Sequence, residues 1–115
     1  MVRVFVCDDS PALRLLLRET LIEDGTIEVV GEAATVTEAE ERLPAAGADV
    51  VLLDLLDHAS EDELVGRLAS CAPDARFVVY TGMPARAGRA AAAYVPKSAE
   101  LAELRRVIVE VAAAP

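Results

Sequence analysis

Residues 50–54 read Val-Val-Leu-Leu-Asp: four branched apolar residues in a row, closed by a carboxylate. A strand with one wet face alternates apolar with polar, so this unbroken run predicts a strand covered on both faces, as at the centre of a parallel sheet. Other apolar runs stop in the same way. VRVFV at 2–6 leads to Asp8 and Asp9, FVVY at 77–80 to Thr81, and YVP at 94–96 to Lys97. Strands of a parallel sheet end on one edge, which would bring these carboxylates, the hydroxyl and the ammonium to one place.

Helical patterns fill the gaps. Ser10 and Pro11 supply an N-cap and an N1 proline for a helix with Leu13, Leu16, Leu17 and Leu21 on one face, stopped by Gly25. A second strand, 27–31, leads through Thr37 as cap into EAEERL, which Pro44 and Gly47 terminate. The third strand covers 49–54. Ser60 and Glu63 form a capping box for a helix reaching about Cys71, with Leu64 and Leu68 inward. Strands follow at 76–81 and 93–95, and Pro96, which cannot donate to a ladder, places the fifth strand at a sheet edge. Ser98 caps a last helix carrying Leu101, Leu104, Ile108 and Val111 on one stripe. Five alternations of strand and helix predict a doubly wound α/β sandwich with helices on both faces and right-handed crossovers.

Composition narrows the classes. A chain of 115 residues makes one domain, here 1–115, and 54% hydrophobic against 27% charged residues predicts a folded one. The formal net charge of −9 argues against nucleic-acid contact by this domain itself. Without an apolar export signal or a run of ~20 apolar residues, the chain reads as cytoplasmic and free of the membrane. Cys7 and Cys71 then read as reduced, buried thiols.

Asp8, Asp9 and Asp54 at adjoining strand ends concentrate negative charge that calls for a cation. Oxygen ligands without nearby His or Cys select Mg²⁺ or Mn²⁺. Asp54, on the buried central strand, is the natural nucleophile toward a phosphoryl group. Thr81 can donate its hydroxyl to a phosphoryl oxygen, and Lys97 can pair with another as a point charge. Lys97 is the only lysine among eleven basic residues. A flavin or nucleotide module would want a Gly-rich phosphate cradle where DDSPA stands. A dehalogenase-like phosphatase would want a second Asp where Leu56 stands.

The order DD, VVLLD, TG and YVPK, on five alternating units, resembles the receiver domain of bacterial two-component response regulators. DDSPALR and the spacing of Asp54 resemble the subfamily with a C-terminal helix-turn-helix. The resemblance implies a flavodoxin-like three-layer sandwich of strand order 2-1-3-4-5. It implies Asp54 as phosphoacceptor, Asp9 as direct Mg²⁺ ligand, Asp8 as ligand through water, and the Leu56 backbone carbonyl as a further ligand. Thr81 and Tyr94 would form the switch pair, an edge-strand aromatic being the plainer reading of Tyr94. The implied partner is a sensor histidine kinase, and the implied catalysis is confined to the domain's own phosphorylation and dephosphorylation. A pseudo-receiver, acting as a phosphorylation-independent interaction module, is the alternative.

Two stretches depart from the family pattern. After Asp54 the sequence LLDHASEDEL lacks the usual Met-Pro pair and glycine, with Asp57 and His58 in the loop. Thr81 and Lys97 stand only sixteen positions apart, so 82–92 has room for a shortened fourth helix of two turns at most. A homodimer is therefore expected on a surface other than the family's usual one. Leu56 and Met83, both apolar, imply slow self-dephosphorylation. Ending AAAP after the last helix, the chain reads as a complete regulator or as the front of a longer one whose output domain, beyond Pro115, would contact DNA.

Overall fold

The computed structural model describes residues 1–54, 61–82 and 90–115. Five strands, β1 (Val2–Cys7), β2 (Ile27–Ala33), β3 (Val50–Leu53), β4 (Arg76–Thr81) and β5 (Ala93–Pro96), form one sheet. All are parallel, in the order β2-β1-β3-β4-β5. Among the described residues the helices are α1 (Pro11–Thr20), α2 (Val36–Ala46), α3 (Glu61–Cys71) and α4 (Leu101–Ala113).

Strand alternation divides the core into two layers. Val4, Val6, Val50, Leu52, Val78, Tyr80 and Val95 meet Leu17 and Leu21 of the α1 segment and Leu104 and Ile108 of α4. Phe5, Cys7, Val51, Leu53 and Phe77 meet Val36, Ala39 and Leu43 of α2 and Leu64, Val65 and Leu68 of α3. All four residues of β3 are buried, as the unbroken VVLL run predicts. The result is the three-layer sandwich expected from the alternation. β5, with its proline opposite Thr81, lies on the sheet edge.

Local details correct several expectations. Leu16 is 45% exposed, while Leu17 and Leu21 are buried and Leu13 packs partly against the core. At about 100° per residue, Leu16 points well away from the 13-17-21 line. The cap of α2 is Thr35, whose Oγ1 accepts from the Glu38 N–H at 3.1 Å, rather than Thr37. Glu38 in turn accepts from the N–H of Ala34, just before the cap, at 2.8 Å, so the cap lies two residues earlier than expected. Pro44 lies inside α2, where it costs one intrahelical bond near the end; Gly47, at φ 64°, is the stop.

Ser98 lies in a turn, and Glu100 occupies the N-cap of α4 without a side-chain cap bond. β2 runs two residues further than expected, to Ala33. Of the thiols, both unpaired, Cys7 is buried and Cys71 only partly so. Ser60, the Asp57–His58 loop and the shortened helix within 82–92 fall wholly or largely outside the described residues. So do Leu56 and Met83.

Candidate metal and phosphoryl site

The carboxyl ends of β1 and β3 are neighbours, because Cys7 pairs with Leu53. Asp8 and Asp54 each follow these residues directly. Their backbone N–H groups are anchored to neighbouring strands: Asp8 N donates to Ala33 O at 3.0 Å, and Asp54 N to Cys7 O at 3.0 Å. The turn after β1 is shaped by its own side chains. Asp8 Oδ1 accepts from the Ser10 N–H at 2.9 Å, while Ser10 Oγ accepts from Leu13 N at 3.2 Å and caps α1. Arg14 reaches back from α1 to donate to the Asp8 carbonyl at 2.6 Å. Sequence reasoning overlooked Arg14, whose only signal is a basic residue one turn into the helix after the acidic pair.

Oxygens of Asp8, Asp9 and Asp54 lie within 4.8 Å of one another. Asp8 is buried at 2% exposure, Asp54 half-buried and Asp9 exposed, so the cluster grades from floor to mouth. Lys97 Nζ stands 3.1 Å from Asp8 Oδ2 and 3.3 Å from Asp54 Oδ2. Burial, the largest influence on this ammonium, works to lower its pKa. The hydrogen bond and charge of Asp8, then those of Asp54, outweigh it and leave the pKa above the ordinary lysine value. One ammonium against three carboxylates leaves a surplus of negative charge.

The donor set suits a hard divalent cation. Among the described residues it consists of carboxylate oxygens, and the Cys7 thiol, next to Asp8 in sequence, is held protonated with its pKa pushed up to about 12 by burial first and then by the charges of Asp8 and Asp54.

Thr81 ends β4 at 3% exposure, and its carbonyl accepts from the Lys97 N–H at 2.8 Å, locking the end of β5 beside it. The five residues read from strand ends thus share one sheet edge. Tyr94 is half-buried and turned elsewhere: its hydroxyl accepts from Ala91 N at 3.1 Å. Leu56 lies outside the described residues.

With this geometry established, similarity is informative. No family model matches the chain. It is 37% identical, over 98% of its length, to the DNA-binding transcriptional activator DevR/DosR of Mycobacterium tuberculosis. Among solved structures, the response regulator TrrA of Thermotoga maritima, in complex with Mg²⁺-BeF, shares 30% identity at a TM-score of 0.81, covering 96% of this chain and 99% of TrrA.

This chain is a response-regulator receiver domain.

The receiver domain of the regulator NarL of Mycobacterium tuberculosis agrees, with 27% identity, a TM-score of 0.85 and coverage of 99% and 98%. The chain spans about half, 55%, of the length of DevR/DosR. Receiver domains are signalling modules of two-component systems rather than enzymes acting on a separate substrate. No helix among the described residues is long and apolar enough to cross a membrane.

Proposed function

We propose that residues 1–115 form one receiver that takes a phosphoryl group from a sensor histidine kinase onto Asp54, with Mg²⁺ or Mn²⁺ held by Asp8, Asp9 and Asp54, and passes the change to an output. The observation that carries this reading is the Lys97 ammonium bridging Asp8 and Asp54 beside a third carboxylate. An Asp54 oxygen forms a bond to phosphorus as the phosphorus–nitrogen bond of a phosphohistidine breaks, giving an acyl phosphate and returning imidazole to the kinase. Held by Asp8, Asp9 and Asp54, such a cation would supply charge neutralisation for the incoming phosphoryl group.

The chain's own groups do the rest. Asp8, fixed by Ser10 N–H and Arg14, holds its place at the floor. Lys97 screens the approach of one anion to another and can transfer its contact from Asp54 to a phosphoryl oxygen. The Thr81 hydroxyl donates to a second oxygen, and Tyr94 follows as the other member of the switch pair. The Leu56 carbonyl completes the metal ligands, and Leu56 with Met83 keeps the acyl phosphate long-lived.

The full protein reaches DNA through an output domain beyond Pro115, as DevR/DosR is a DNA-binding activator. Its place of action is the cytoplasm, and its homodimer uses a surface other than the family's usual one. The test is uptake of beryllofluoride, read by fluorine NMR, with and without Mg²⁺. A bound resonance should appear only with Mg²⁺ and vanish in Asp54→Asn. No bound resonance in the parent protein would leave a phosphorylation-independent interaction module.

A further inference from the structure

Glu61, the first residue of α3, is only 6% exposed, yet neither carboxylate oxygen has a hydrogen-bond partner. Buried polar groups are almost always paired, because an unpartnered one keeps the full cost of leaving water. Among the described residues no other buried side chain carries such an atom. Its neighbour is the Tyr94 phenol. Burial raises the phenol's pKa first, the Ala91 N–H opposes that, and a loose hydrogen-bond contact with the Glu61 carboxylate and its charge, followed by the charge of Asp62, push it up again. The two groups adjoin, but without the short, aligned geometry of a hydrogen bond.

The Tyr94 oxygen already accepts from Ala91 N, which leaves its own proton to donate. One residue along α3, Asp62 accepts from the Ala90 N–H at 3.2 Å. The first turn of α3 therefore grips the chain just before β5, at Ala90 and beside Tyr94. In sequence it starts seven positions after Asp54.

We propose that Glu61 is a positioning residue for Tyr94: its buried carboxylate accepts a hydrogen bond from the phenol when the ring turns inward, so that the first turn of α3 couples Asp54 to β5. This rests on the reading of Asp54 as phosphoacceptor. The resting state, with a buried unpaired acceptor beside an available donor, favours the inward ring as soon as a change at Asp54 lets the turn move. Charge alone would not achieve this; an acceptor is required.

Two tyrosines, Tyr80 and Tyr94, make the experiment direct. Protein labelled with 3-fluorotyrosine gives two ring resonances, and bound beryllofluoride reports its own occupancy in the same spectrum. With Mg²⁺ and beryllofluoride the Tyr94 resonance should move in the parent and in Glu61→Gln, which keeps an acceptor. It should stay still in Glu61→Leu, with equal occupancy in all three. An equal Tyr94 movement in Glu61→Leu overturns the proposal.

Failure of the parent to bind beryllofluoride would sink the Asp54 reading instead, and the adjacency of Glu61 and Tyr94, on which the proposal depends, is then tested in the unmodified protein. There Glu61→Leu, or Glu61→Gln should the leucine variant not fold, must lower the Tyr94 phenol titration and leave that of Tyr80 in place. An unaltered Tyr94 titration overturns the adjacency and with it the proposal.

Discussion

Cys7 stands one residue before the acidic pair, and its thiol is pushed up to about 12 from 9.0, by burial first and then by the charges of Asp8 and Asp54. An unfolded chain gives up this proton near 9.0, whereas the folded chain keeps it to about 12. Above pH 9 the unfolded state binds fewer protons, so stability falls as pH rises through that window, by about 1.4 kcal/mol per pH unit for one group. Cys7→Ala should flatten the decline in urea midpoint between pH 9 and 12; parallel profiles would refute the assignment. Lys97, with its raised pKa, loses its own contribution above its folded value, and that loss is common to both proteins. At this scale the strand-end set was legible, because Asp8, Asp9, Asp54, Thr81 and Lys97 each follow or close an apolar run. Glu61 was not. A glutamate opening a helix reads as solvated and dipole-stabilised, and its burial, at 6% exposure, belongs to the folded chain and has no local signal.

At the scale of elements, β1 and β2 shift register between Val4 and Phe5, which brings Phe5 opposite Gly31. A Cβ on Gly31 would lie 2.8 and 2.9 Å from two ring carbons of Phe5. The ring is buried in the layer under α2 and α3 and cannot swing out. Gly31→Ala should therefore destabilise by about 1–3 kcal/mol, as overpacking does, measured by urea unfolding. Adding Phe5→Leu should recover part of that loss, and strict additivity of the two changes would contradict the contact. The strands themselves were readable from composition, since runs such as VVLL and FVVY fit only buried positions. Helix ends were less so. Thr35 and Thr37 both precede acidic residues, and the choice falls to Thr35 because only its backbone is extended where β2 has just ended, at Ala33. Pro44 misled for a similar reason: a proline in the last turn removes one bond, which the buried Leu43 and the left-handed Gly47 easily outweigh.

The whole molecule places its chemistry at one edge of a sheet covered on both faces, and carries a net charge of −9. That charge acts in two ways. Spread over the surface, it is self-repulsion, which any salt screens; gathered in Asp8, Asp9 and Asp54, it is a local field that Lys97 offsets in part and that a cation seated among the three would relieve further. The two are separable. Raising NaCl should lift the melting temperature of the parent and of Asp9→Asn alike. Replacing part of that NaCl by MgCl₂ at constant ionic strength should lift only the parent further. At a Mg²⁺ concentration ten times the dissociation constant, mass action contributes about 1.4 kcal/mol, roughly 5 °C for a domain of this size. Asp9 is the informative position because its exposed side chain bears little of the core, so its loss removes a ligand without loosening the sheet edge. Asp8, tied to Ser10 and Lys97, would confound ligand loss with loss of the turn. An equal Mg²⁺ increment in parent and Asp9→Asn would mean that Asp9 is not a ligand and that the cation is not seated among the three carboxylates.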